Sequence, residues 1–80
     1  MFFVYILYSQ SYKRYYIGMS KEVKIRLNSH NNKEVKSTKS YVPWQVVHTE
    51  EFSTRLLARD REKYLKSAAG RRWRKNNLGM

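Results

Sequence analysis

Hydrophobic and polar positions change their period several times along the chain. Residues 3–8, Phe-Val-Tyr-Ile-Leu-Tyr, carry no polar position except the tyrosine hydroxyls. Such an unbroken β-branched and aromatic run reads as a strand buried on both faces. Ser9 to Lys13 is polar and turn-like, and Arg14 to Met19 is aromatic again, with Gly18 near its end. A loop of about five residues between two such runs predicts an antiparallel hairpin. The period then lengthens: Val23, Leu27 and His30 fall at i, i+4 and i+7 behind Ser20, a plausible N-cap, which predicts a helix over 21–31. Residues 32–43 are polar and basic and end at the only proline, Pro43, as a loop does. Trp44 to Phe52 reads as a third strand. Ser53 or Thr54 then caps a helix through about Ala68, Gly70 interrupts it, and Arg71 to Asn77 reads as a short basic third helix. The order β-β-α-β-α-(α) predicts an α+β domain, 1–80, in which a small three-stranded antiparallel sheet packs with helices.

Composition narrows the function. The 80 residues include no cysteine, which excludes disulfides, thiolate zinc sites, iron–sulfur clusters and cysteine nucleophiles. His30 and His48 cannot make a zinc site by themselves. No apolar run approaches a membrane span, and the start lacks a basic n-region, so a cytoplasmic protein is expected. Charge is the dominant signal: 17 Lys+Arg against 6 Asp+Glu leave a net +11. By successive twenties the net charge is +2, +4, −1 and +6, so the excess sits in 21–40 and 61–80. That field favours polyanions, nucleic acid before an anionic membrane. A hydrophobic content of 41% and an aromatic content of 15% are too high for a disordered basic tail.

Several residues could carry chemistry, and each has a plainer alternative. Glu62 follows Ala58 by four and precedes Leu65 by three, beside the apolar stripe of its helix. A carboxylate there is either a metal ligand or half of an i,i+4 surface pair with Lys66. Arg26 precedes His30 by four; the two could clamp a phosphate and move a proton, or be a solvated arginine and a helix-terminal histidine. Tyr5 on the first strand and Tyr16 on the second can meet over a patch opened by Gly18, either as a site or as ordinary cross-strand packing. Nearby cations would favour a phenolate, so at least one of the two is expected to titrate below the ~10 of free tyrosine.

Together these residues resemble the GIY-YIG nuclease superfamily. Phe3-Val4-Tyr5, ten intervening residues, then Tyr16-Ile17-Gly18 match its paired motifs, with Phe3 for Gly and Val4 for Ile. Arg26, His30 and Glu62 fall in the family's order on the following helices, and the chain looks most like the small stand-alone bacterial members. The resemblance implies phosphodiester hydrolysis. It assigns Tyr16 as general base, Tyr5 as the group orienting water or phosphate, Arg26 as electrophilic clamp, His30 as auxiliary proton-transfer group and Gly18 as a structural residue of the site. It makes Glu62 the ligand of a divalent cation, Mg²⁺ or Mn²⁺, and implies no small-molecule cofactor. Asn76 or Asn77 could fill the place of an asparagine some members use.

Substrate contact falls to two basic stretches. The loop around Lys33, Lys36 and Lys39 offers cations, hydroxyls and Tyr41. The tail Arg71, Arg72, Trp73, Arg74 and Lys75 interleaves cations with an indole, which suits phosphate contact plus base stacking or, alternatively, a solvated helix with Trp73 docked on the core. The expected activity is a metal-dependent endonuclease on nucleic acid, DNA before RNA, with weak sequence specificity. The competing reading is a non-catalytic nucleic-acid-binding module on the same fold.

Overall fold

In the computed structural model, which describes residues 1–80, β1 (Phe2–Ser9) lies between β2 (Arg14–Ser20) and β3 (Gln45–Phe52) and runs antiparallel to both. Its central place explains the unalternating sequence. Val4 and Ile6 face one side of the sheet, Tyr5 and Leu7 the other, and none is more than 1% exposed. α2 (Arg55–Lys66) and α3 (Ala68–Leu78) cover the first side, where Ala58 and Leu65 close on Val4, Ile6 and Ile17. On the second side Tyr5, Leu7 and Trp44 pack with Val23 and Leu27 of α1 (Val23–Asn31) and with Tyr41 and Val42.

β3 alternates along its whole length, yet it serves both cores. A bulge opposite the Ile6–Leu7 step pairs Leu7 with Val46 and Ile6 with His48. One extra residue, Val47, lets Val46 face the Tyr5 side while His48, Glu50 and Phe52 face the α2 side.

The helix ends fall where side-chain oxygens meet free amides. Thr54 Oγ1 accepts the Leu57 N–H at 3.2 Å and starts α2 as the sequence predicts. Ser20 is not the N-cap of α1: its Oγ accepts the Glu22 N–H at 3.0 Å in a local turn, and the N-cap position falls to Glu22, whose side chain caps nothing, so the helix begins at Val23. The break between α2 and α3 lies at Ser67, whose hydroxyl donates to the Tyr64 carbonyl and accepts the Gly70 N–H at 3.1 Å. Gly70 is therefore inside the third helix and does not interrupt it. It is buried where α3 crosses the end of α2, and a Cβ there would run into the Tyr64 carbonyl oxygen and stand 2.5 Å from Leu65 Cα. A glycine placed for close approach has the same letter as a helix breaker, which is why the third helix begins earlier than its pattern predicts.

Residues 32–44 carry one 3₁₀ turn, Lys39–Tyr41, and are tied down at both ends. The Asn31 side chain donates to the Trp44 carbonyl at 3.0 Å and accepts the Trp44 N–H at 2.6 Å. Trp44 Nε1 donates to the Thr38 carbonyl at 3.0 Å. The segment is thereby held against α1 and the sheet.

Candidate active site

Strand register brings the two tyrosines together. Tyr5 is the ladder partner of Gly18 and Leu7 that of Tyr16, so the tyrosines are diagonal neighbours on one face, with ring centroids 6.4 Å apart. The gap left by Gly18 is filled by both rings: a Cβ there would lie 2.5 Å from the Tyr5 hydroxyl oxygen and 3.1 Å from the Tyr16 ring. Tyr5 is sealed, whereas Tyr16 on the edge strand is half-buried and borders open cavity.

Behind Tyr5 runs a buried hydrogen-bonded chain. The Tyr5 hydroxyl is 3.1 Å from His30 Nε2, and His30 Nδ1 is 2.7 Å from Thr38 Oγ1. The Thr38 hydroxyl in turn donates to the Val35 carbonyl at 3.4 Å. That last bond makes Thr38 the acceptor for Nδ1–H, which leaves Nε2 to accept the Tyr5 O–H. Burial, together with the nearby Arg26 charge, pushes the His30 pKa down, so the imidazole is neutral at pH 7. His30 is fully buried with both ring nitrogens engaged. It cannot meet a substrate directly, and any proton reaches it through Tyr5.

Burial also dominates Tyr5 and raises its pKa above the phenol value. The nearby Arg26 guanidinium pulls the other way, while Tyr16 and Glu62 add to the rise. The expected depression of a tyrosine pKa therefore does not occur at Tyr5, because desolvation outweighs the single neighbouring cation.

Glu62 approaches from the opposite face. α2 packs on the other side of the sheet from the tyrosines, and the Glu62 side chain borders a surface cavity of about 330 Å³ together with Met19, Ser20, Lys21, Arg55 and Arg59, which Tyr5, Tyr16 and Arg26 do not line. Its carboxylate is 19% exposed and accepts from Lys66 Nζ at 3.3 Å through one oxygen. The i,i+4 pair is thus present, and the second oxygen remains available. No three carboxylate or imidazole groups cluster anywhere in the chain. The donor set therefore suits a hard cation that binds through one carboxylate, water and substrate phosphate, as Mg²⁺ does, and does not suit a protein-only cage. The cations bordering the cavity disfavour a free metal ion and favour one that arrives with a phosphate.

The other basic residues divide. Lys33, Lys36 and Lys39 are exposed on the 32–44 segment, and Thr38 between them is the residue that connects this segment to the tyrosines. Arg71, Arg72 and Lys75 are exposed on α3. Trp73 is not a free stacking platform: it packs against the α2-side core, with the Arg61 guanidinium 4.3 Å above its ring. Arg74 is 9% exposed and not on a solvated face. Of the 17 Lys and Arg side chains, only Arg61 and Lys66 are in ion pairs. Asn77 Nδ2 donates to the Trp73 carbonyl at 2.9 Å within its own helix, and Asn76 is exposed on the same helix.

The family model described as the GIY-YIG catalytic domain matches residues 1–77. The chain belongs to the GIY-YIG family. Curated proteins and solved structures yield no match. Within the GIY-YIG frame the two departures of the first motif are benign: Val4 is core, and Phe3 is a half-buried strand residue paired with Ser20 and Glu51. Two site-forming residues escape the sequence pattern, Thr38 and Asn31. Thr38 lies in the irregular 32–44 segment and Asn31 ends α1 and holds that segment through Trp44, and no spacing marks either. No helix is long and apolar enough to cross a membrane.

Proposed function

We propose that this GIY-YIG protein is a metal-dependent endonuclease that hydrolyses nucleic-acid phosphodiester bonds, DNA in preference to RNA, with weak sequence specificity. The observation that supports this reading is the packing of Tyr5 and Tyr16 over Gly18 on one face of the sheet, with the charges of Arg26 and Glu62 near enough to act on Tyr5.

The roles follow from the geometry. Tyr16, the more exposed member of the pair, acts as the phenolate: it takes a proton from the attacking water and becomes the neutral phenol. Tyr5, sealed and with its hydrogen committed to His30, does not meet the water; it positions the Tyr16 ring that packs against it. Neutral His30 holds Tyr5 and can take up its proton. Arg26 offers a planar fork to the non-bridging phosphate oxygens, whose charge grows as the hydroxide adds to phosphorus. A divalent ion on Glu62 would supply charge neutralisation at the leaving oxygen. The unpaired cations of α3 and of the 32–44 segment bind the rest of the strand through its phosphates.

The second reading, a binding module without catalysis, is favoured by the burial of Tyr5 and the Lys66 partner of Glu62. Labelled single-stranded, duplex and branched DNA, and RNA, incubated with Mg²⁺, Mn²⁺ or EDTA, separate the two. Cleavage with metal and none in EDTA is expected. Tight binding with no cleavage under any metal leaves the binding module.

A further inference from the structure

A cavity of about 500 Å³ opens between β2 and α3, with Tyr15, Tyr16, Lys66, Arg71, Arg74 and Met80 among its walls. Three of these side chains are cationic and none is acidic. Arg74 is 91% buried by its 9% exposure, makes no hydrogen bond or ion pair with its side chain, and leaves its buried Nε–H without any partner. An unpaired buried donor costs free energy, and a guanidinium costs more. Burial first, and the adjacent Arg71 charge second, push the Arg74 pKa down, although Tyr15 opposes this. Nothing in the protein relieves the pair. Lys66 has one acceptor, Glu62 at 3.3 Å, and so joins this cavity to the candidate metal ligand.

We infer that this cavity is a phosphate site, in which Arg74, Arg71 and Lys66 hold a phosphodiester of the nucleic-acid strand flanking the one to be cleaved. Planar guanidinium forks match phosphate oxygens, and Arg74 is pre-oriented by burial, so it loses little freedom on binding. Tyr15 walls this cavity on the α3 side of β2, while the Tyr16 ring lies on the other face with Tyr5. The site fixes the register of the strand on β2, in contrast to Arg72 and Lys75, which act only as diffuse charge. This inference rests on the nuclease reading for the identity of the strand, but not for the existence of the anion site.

The test is binding without cleavage, in EDTA. Oligonucleotide affinity is measured across a salt series for the wild type and for Arg71→Met, Arg74→Met, Arg72→Met and Lys75→Met. The first two should weaken binding about tenfold and each lower the salt slope by about one; the last two should change both much less. In parallel, inorganic phosphate is titrated while the Arg74 Hε resonance is followed, and it should move that resonance in the wild type and not protect Arg71→Met. If Arg74→Met fails to fold, Arg74→Lys and the exposed Arg71→Met carry the test. Oligonucleotides with and without a 5′-phosphate separate the sources: equal affinity supports an internal phosphodiester, and a gain confined to the phosphorylated strand and lost in Arg71→Met overturns that in favour of strand-end recognition. Wild-type affinity and salt slope in folded Arg71 and Arg74 variants overturn the site altogether. A protein that never cuts, yet loses phosphate binding with Arg71→Met, disproves the nuclease and keeps the site.

Discussion

The Tyr5 hydroxyl occupies the space that a side chain at position 18 would need. Tyr5 and Gly18 are ladder partners, and an added Cβ would lie 2.5 Å from the hydroxyl oxygen and 2.7 Å from the ring carbon that bears it. The hydroxyl cannot simply retreat, because His30 Nε2 holds it at 3.1 Å in a buried setting.

Gly18→Ala should therefore displace Tyr5 from His30. Overpacking of this kind costs roughly 1–3 kcal/mol, and cleavage should fall with it. Tyr5→Phe removes the oxygen that clashes most closely, so the double variant should lose less stability than the two singles added together. Urea midpoints read the coupling. Strict additivity would show that the close approach is not what position 18 is for.

Stability should decline in two stages on acidification. His30 titrates below its usual 6.5 because it is buried and lies beside Arg26. Below pH 6.5 the unfolded chain therefore takes up a proton that the folded one refuses, and stability falls until the folded pKa is passed. Burial alone would raise the Glu50 carboxyl, but hydrogen bonds from Arg61 (2.7 Å) and His48 (2.8 Å), with their charges, outweigh it and hold the group below 4.5. Its contribution is present above 4.5 and is lost as pH falls through the lower folded value. Each group contributes a slope of at most about 1.4 kcal/mol per pH unit. On the alkaline side the raised Tyr5 pKa gives stability that is present below pH 10 and lost above it. Glu50→Gln should remove the lower acid stage only. A Glu50→Gln profile parallel to the wild type down to pH 3 would exclude the carboxylate as its source.

What the sequence made legible was whatever depends on periodicity. The buried central strand, the Tyr5–Tyr16 facing and the Ala58–Leu65 stripe beside Glu62 all follow from periods of two and 3.6. Illegible were features set by contacts between distant segments. Gly70 resembled a breaker because only the approach of α2 shows what it is for. The docking of Trp73 on the core was one of the two readings of the tail, but the burial of Arg74 beside it was in neither. The direction of the Tyr5 shift is set by burial, which the sequence does not display and which exceeds the pull of Arg26.

Glu62→Gln should separate chemistry from folding. The Lys66 pair it weakens is a helix-surface contact worth a few tenths of a kcal/mol, so the thermal midpoint should barely move. Loss of the carboxylate charge should reduce metal-dependent cleavage by about 10²-fold or more. Mn²⁺ binding, measured on the complex with an uncleavable phosphorothioate oligonucleotide, should weaken in the same variant. Unchanged cleavage in a folded Glu62→Gln protein would remove Glu62 from the metal site.

Thr38 tests whether the chain behind Tyr5 matters to the reaction. Its hydroxyl accepts from His30 Nδ1 and thereby leaves Nε2 as the acceptor for Tyr5. Thr38→Val keeps the shape and removes that acceptor. A buried Nδ1–H without a partner costs roughly 1–3 kcal/mol, and the imidazole is then free to adopt the other tautomer, which turns Nε2 into a donor. Tyr5 would have to reverse its hydrogen or give up its bond to His30, and the Tyr16 ring packed against it would shift. Thr38 itself is 1% exposed and touches no substrate, so its loss should lower kcat about tenfold while KM stays near the wild-type value. Thr38→Ser restores the hydroxyl and should restore the rate. A purely structural threonine would give a different pattern: Thr38→Val destabilised, but with wild-type kcat in the folded fraction. That result would confine His30 to holding the fold and leave Tyr16 and Arg26 to act without the Tyr5 relay.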